Sequence, residues 1–272
     1  MKTATTNSGN QSVDVLIIGA GLSGIGGACH LRRNCPDRSF MILESREASG
    51  GTWDLFRYPG IRSDSDMYTF GYGFKPWNDK SSIADGHKIL RYIREAAAEY
   101  DVEQHIRYQH KVLSANWSST NQRWLVTAEL GDTGEQVTID CQFIFSCSGY
   151  YDYDQGYTPE FAGIDKFKGQ VVHAQHWPEK LNYKDKRVVV IGSGATAVTL
   201  VPTMSKDTAS LVMLQRSPTY IASIPKEQPL AEKLRKWLPD RWVFRLTRWS
   251  RVFFQIYLYQ FCLLYTSPSP RD

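Results

Sequence analysis

Three nearly unbroken apolar runs punctuate an otherwise mixed chain: Val13-Asp14-Val15-Leu16-Ile17-Ile18, Ser39-Phe40-Met41-Ile42-Leu43-Glu44 and Arg187-Val188-Val189-Val190-Ile191. Runs of β-branched residues without polar alternation are the mark of strands covered on both faces, the condition of a parallel sheet. Leu211-Val212-Met213-Leu214 is a shorter fourth run of the same kind. From about Gly86 to Tyr100 the period changes to that of a helix, with Ile89, Ile93, Ala96, Ala97 and Tyr100 on one face and Asp85 placed to cap its start. Ile106–Trp117, Arg123–Glu129 and Gln136–Cys147 read as strands parted by polar turns containing Asn121, Gly131 and Gly134, a small antiparallel insertion. Residues 1–12 are polar and are expected to form a disordered tail, with no apolar core that could serve as a signal peptide.

Two of the apolar runs end directly in glycine-rich loops. Ile18 is followed by Gly19-Ala20-Gly21-Leu22-Ser23-Gly24, and Ile191 by Gly192-Ser193-Gly194-Ala195-Thr196-Ala197. Strand, GxGxxG or GxGxxA, then helix is the order of a dinucleotide-binding unit: the first glycine makes the tight turn, the second admits a pyrophosphate, and the third small residue lets helix and strand pack closely. The runs that follow end differently. Glu44 lies 20 positions beyond Gly24 (44 − 24 = 20) and can accept hydrogen bonds from ribose hydroxyls, whereas Arg216 lies 24 positions beyond Gly192 (216 − 192 = 24) and can pair with a phosphate. The acid suits FAD at the first loop and the base suits the 2′-phosphate of NADPH at the second; the plainer reading of Arg216 is a solvated surface charge.

Composition narrows the class without naming it. The 272 residues, 42% hydrophobic and 22% charged, suit a globular chain of one large or two ordinary domains. The formal charge of +4 is too mild to argue for a nucleic-acid partner. Cys29, Cys35, Cys141, Cys147 and Cys262 include no CxxC, which argues against a zinc site and for reduced thiols in a cytoplasmic protein. No apolar run is long enough for an integral membrane segment; Val252–Tyr265 is short and interrupted by Gln255 and Gln260. Lys226–Arg251 is basic and rich in tryptophan, and is expected to form amphipathic helices whose aromatic faces pack onto another part of the protein. His87, His105 and His110 lack ligand spacing, and His173 with His176 could suggest a metal pair but has no third ligand in view.

Three further motifs carry a resemblance. Gly50-Gly51-Thr52-Trp53 followed by Tyr58-Pro59-Gly60-Ile61-Arg62-Ser63-Asp64 reads GGxW…YPGxxxD, and Phe167-Lys168-Gly169-Gln170-Val171-Val172-His173-Ala174-Gln175-His176-Trp177 reads FxGxxxHxxxW between the two nucleotide loops. Over about Val13–Tyr220 the chain resembles the type I Baeyer–Villiger monooxygenases of the flavin-containing monooxygenase superfamily, and Ser65–Trp77 is most similar to their ethionamide-activating branch. The resemblance implies an α/β fold with two Rossmann-like domains: an FAD-binding domain over 13–150 and an NADPH-binding domain with a helical excursion over 151–261, both incomplete. It implies an enzyme that uses FAD, NADPH and O2 to oxygenate a ketone or a sulfur compound through a C4a-peroxyflavin. Gly51, Thr52, Trp53 and Asp64 would line the flavin, with Asp64 holding an active-site arginine, and His173 would couple domain movement to catalysis. That arginine and much of the pocket would lie in a missing C-terminal part. Residues 262–272 read as a translated sequencing adapter. A flavin disulfide reductase shares paired nucleotide loops but needs a reactive cysteine pair at CxxC or CxxxxC spacing; a third reading is a truncated nucleotide-binding fragment without activity.

Overall fold

The computed structural model describes residues 11–217 and 225–266. Most of the expected N-terminal tail and the last residues of the adapter-like stretch lie outside this range, but Gln11 and Ser12 already belong to a strand. The elements run β1 (Gln11–Ile18), α1 (Leu22–Asn34), β2 (Phe40–Leu43), α2 (Thr52–Leu55), α3 (Met67–Phe70), α4 (Gly86–Glu99), β3 (Ile106–Arg107), β4 (His110–Ser118), β5 (Arg123–Leu130), β6 (Glu135–Ser146), β7 (Arg187–Ile191), α5 (Ala195–Met204), β8 (Ser210–Leu214), α6 (Pro229–Arg235) and α7 (Asp240–Thr266). They gather into two compact units, residues 1–58 with 87–182 and residues 59–86 with 183–272. The stretch 151–182 thus clusters with the first nucleotide loop and not, as the expected boundary at 150 has it, with the second.

The first unit is built on a six-stranded sheet in the order β3-β2-β1-β6-β5-β4. β1 pairs in parallel with β2 and β6, and β2 with β3. The region expected as a separate antiparallel insertion is continuous with this sheet, because β6 is long enough to serve both. Its first half pairs antiparallel with β5, from Glu135 to Cys141, and its second half runs parallel to β1 as far as Ser146. The expected strand Ile106–Trp117 is divided: β3 extends the parallel edge and β4 turns back on β5, with Gln109 at φ 56° making the break. Positive φ in a non-glycine residue suits a turn and ends pairing. Leu16, Ile17, Ile42 and Leu43 are wholly or almost wholly buried at the centre. Ile89, Ile93, Ala96 and Ala97 of α4 are completely buried, whereas Tyr100 falls just beyond the helix.

The second unit holds a two-stranded parallel sheet, β7 with β8, in the register Val189↔Val212 and Ile191↔Leu214. Leu200 and Met204 of α5 are buried, whereas Val189, Ile191, Val212 and Leu214 are each more than half exposed. In α7 the inward residues are Val243 and Phe244, with Phe244 against Tyr68 at 6.0 Å between ring centroids. Arg248 adds hydrogen bonds of 2.9 Å to the carbonyls of Tyr68 and Gly71. The helical excursion therefore packs on the segment 59–86 through an aliphatic and phenylalanine face, while Trp237, Trp242 and Trp249 remain exposed. The difference from expectation is one of phase for Trp242 and Trp249, which stand on the other side of α7, while Trp237 lies between α6 and α7. Among the described residues no helix is long and apolar enough to cross a membrane.

Candidate functional site

The first glycine loop is shaped by contacts that forbid side chains. Gly19 has φ +100°, and a Cβ there would lie 2.5 Å from the Cys147 carbonyl oxygen; a Cβ on Gly24 would collide with the Gly19 carbonyl. These two glycines are required by turn and packing. Gly21 is different: a Cβ would only touch Gly51 Cα at 3.6 Å, so its bareness keeps the loop surface open. Gly21 starts α1 with no side-chain cap, and the first helical bond runs from Ile25 N–H to Gly21 C=O at 3.0 Å. A helix start without a side-chain acceptor, with its positive dipole end at a glycine turn, is suited to an anion.

Glu44 is 3% exposed directly beneath this loop. Its Oε2 accepts the Ala20 N–H at 2.7 Å and its Oε1 the Arg46 N–H at 3.0 Å. Each carboxylate oxygen has two lone pairs, so Oε2 keeps one for a ribose hydroxyl after accepting from Ala20. Gly50 N–H donates to the Ala20 carbonyl at 2.9 Å, which brings the GGxW turn onto the same loop. Gly51, φ +54°, caps α2, so Thr52 and Trp53 occupy its first turn. Tyr153 also reaches this turn, its hydroxyl 3.4 Å from where a Cβ on Gly51 would stand. Burial pushes its phenol above the ordinary 10.0, with its hydrogen bond to Thr52 acting the other way. Cys147, at the end of β6, has its thiol pushed up by burial, the opposite of a reactive thiolate.

Sequence reasoning missed the charge cluster behind this turn. Asp54 is 5% exposed and meets three guanidinium groups: Arg46 at 2.7 Å, Arg94 at 2.8 Å and Arg57 at 3.3 Å. Only the Asp54–Arg57 spacing is local; Arg94 comes from α4, so no motif announces the group.

In the fingerprint, the buried residue is Gln175, whose side chain donates to the Asp152 carbonyl. His173 is exposed; its Nδ1 accepts the Gln175 N–H at 3.2 Å, and its ring fills the space beside Gly156. Phe167 is exposed over Gly169, where any side chain would meet its ring.

The second loop lies in the other unit. Gly192 turns at φ +125° and donates its N–H to the Leu214 carbonyl at 2.8 Å. Gly194 begins α5 without a side-chain cap, and a Cβ on it would meet nothing within 4 Å. Ala195 and Thr196 form the first turn, and Ala197 is buried. Arg216 is exposed just after β8. Gly60, φ +76°, is needed where the YPG turn meets α5, since a Cβ there would strike Thr203. Asp64 is exposed on the segment 59–86. The structure therefore brings Gly19, Gly21, Gly24, Glu44, Gly51, Thr52 and Trp53 together in one unit and Gly192, Gly194, Ala195, Thr196, Ala197 and Arg216 in the other; Asp64 and His173 belong to different units.

Two strand–glycine loop–helix units, with the fingerprint between them in sequence, define an α/β architecture of paired Rossmann-like halves. Residues 12–230 match the flavin-binding monooxygenase-like family, and the chain belongs to that family. It is 53% identical over 253 residues to the FAD-containing monooxygenase EthA of Mycobacterium tuberculosis, covering 93% of this chain and 51% of that protein. It is 55% identical over 251 residues to EthA of Mycolicibacterium smegmatis, covering 92% of this chain and 51% of that protein. The chain thus spans about half the length of the curated relatives it matches. Among solved structures it is similar to the OTEMO complex with FAD and NADP, with a TM-score of 0.69 and 30% identity over 84% of this chain and 44% of that one. The resemblance to the Baeyer–Villiger monooxygenases, drawn from the motifs, agrees with these relatives.

Proposed function

We propose that the whole protein to which this chain corresponds is an NADPH-dependent FAD monooxygenase that adds one oxygen atom of O2 to a ketone, giving an ester or lactone, or to a sulfur compound. The observation that carries this reading is the contrast between the two loops: a buried Glu44 hydrogen-bonded to the first and an exposed Arg216 after the strand that follows the second. FAD held at the first loop would supply the electron transfer from reduced nicotinamide to O2.

The chain's own residues have definable parts in this. Gly21 and the start of α1 would take the FAD pyrophosphate, Glu44 the ribose hydroxyls, and the Gly51-Thr52-Trp53 turn would lie along the flavin. Gly194, Ala195 and Thr196 would take the NADPH pyrophosphate, and Arg216 its 2′-phosphate by charge-assisted bonds. Asp64 would hold a cation near the reacting carbonyl, where positive charge stabilises a developing oxyanion. His173, at the start of a single helical turn, would relay domain movement rather than a proton. The five free cysteines support a cytoplasmic setting.

The test is NADPH consumption by a chain extended to its relatives' length, with and without a panel of ketones and sulfides. Formation of an ester, a lactone or an oxygenated sulfur product supports the reading; none across the panel overturns it. A second reading, that the 272 residues alone bind nucleotide without turnover, is favoured by the exposed apolar face of β7 and β8. Product formation by the chain alone would remove it.

A further inference from the structure

The turn Gly50–Gly51 combines two positive φ values, +120° and +54°, with no side chain of its own to hold it. Glycine pairs of this kind are conformationally free in the unfolded chain, so the native turn must be restrained by its neighbours. The restraint visible in the structure is the Asp54 cluster. Arg94 Nη2 donates both to the Ser49 carbonyl at 2.9 Å and to Asp54 Oδ1 at 2.8 Å. Arg46 donates to the Gly51 carbonyl at 3.3 Å and to Asp54 Oδ2 at 2.7 Å. Arg57 donates to the Asp54 carbonyl at 2.9 Å and to its carboxylate. Carbonyls on both sides of Gly50 are thus held by guanidinium groups that converge on a single carboxylate.

This grip passes directly to the nucleotide loop, because Gly50 N–H is bonded to the Ala20 carbonyl and Gly51 lies against Gly21. Removal of the carboxylate would leave three like charges without the shared partner that gathers them, so that their mutual repulsion is no longer offset. The cluster also carries more positive than negative charge next to the start of α1, a favourable field for phosphates.

We propose that Asp54 is a positioning residue for FAD: by gathering Arg46, Arg57 and Arg94 it sets the Gly50–Thr52 turn against the first glycine loop and keeps the pyrophosphate site preformed. The proposal rests on the assignment of FAD to that loop. It goes beyond charge alone, since it requires the reach of Arg94 Nη2 to both the Ser49 carbonyl and the Asp54 carboxylate, and a lysine Nζ ends one bond short of that nitrogen.

The experiment follows FAD binding by quenching of flavin fluorescence and amide hydrogen exchange by mass spectrometry, on the 272-residue chain and its variants. Asp54→Asn weakens FAD binding by about tenfold, as loss of a charged hydrogen-bond hub does. It also speeds exchange over Gly50–Phe56 while leaving the α4 segment 89–97 protected. Arg94→Lys, at a partly exposed side chain, weakens binding nearly as much as Arg94→Ala. Wild-type affinity in Asp54→Asn, or wild-type affinity and exchange in Arg94→Lys, overturns the proposal while leaving the FAD assignment intact. If Asp54→Asn does not fold, the Arg94 pair decides alone. A wild-type chain that fails to quench flavin at all overturns the FAD assignment and the proposal with it.

Discussion

The buried carboxylate of Glu44 accepts the Ala20 N–H at 2.7 Å, tying the end of the second parallel strand to the glycine loop that follows the first. This bond has a structural part that does not depend on any ligand. Glu44→Ala leaves the N–H groups of Ala20 and Arg46 without their acceptor. An unsatisfied buried donor costs about 1–3 kcal/mol. The expected result is a lowered urea midpoint in the absence of nucleotide, together with loss of FAD binding. An unchanged midpoint would show that water or a neighbouring group replaces the carboxylate.

Two glycines at different motif positions, the third of the first loop and the second of the second, should separate folding from binding. Gly24→Ala sets a Cβ against the Gly19 carbonyl, and is expected to destabilise by about 3 kcal/mol, the upper end for overpacking. Gly194→Ala sets a Cβ in open space at a φ of −77°, so stability should change by less than about 0.5 kcal/mol. Its effect falls on ligand instead: a methyl group where a pyrophosphate would approach should weaken NADPH binding by about tenfold. Thermal melts and titrations of the two variants check both halves.

Arg216→Ala, in a chain extended to its relatives' length, should lower the preference for NADPH over NADH by roughly tenfold or more, the worth of a charge-assisted phosphate contact. The ratio of kcat/KM for the two cofactors reads this directly. A preserved ratio would make Arg216 an ordinary surface charge.

His105 supplies a pH dependence. Its ring lies 4.4 Å from that of Phe40, and burial, aided by Arg32 and Arg107, lowers its pKa from 6.5. The unfolded chain therefore binds this proton at higher pH than the folded one, so the contribution is complete above pH 6.5 and is lost as pH falls toward the lower folded value. His105→Phe keeps a ring beside Phe40 and cannot titrate. Denaturation between pH 7.5 and pH 5 should show the wild type losing stability relative to the variant as pH falls; parallel curves would show that His105 takes no part.

The local features of this protein were legible in its residues because each rests on short-range physics. Nearly unbroken apolar runs announced β1, β2, β7 and β8, the helical period of Ile89, Ile93, Ala96 and Ala97 announced α4, and the acid at Glu44 against the base at Arg216 set the two nucleotide halves apart. What required the tertiary structure was every relationship that depends on distant pairing. Alternation could identify β6 as a strand but not that its two halves serve antiparallel and parallel neighbours, since both pairings use the same extended backbone. The basic, aromatic pattern of α7 did not reveal that Val243 and Phe244 rather than the tryptophans face inward, because amphipathicity leaves the phase open until a partner surface is present. The convergence of Arg46, Arg57 and Arg94 on Asp54 was equally invisible: charges separated along the chain become one cluster only when α4 folds beside the turn, and it is burial that gives the carboxylate its hold on all three.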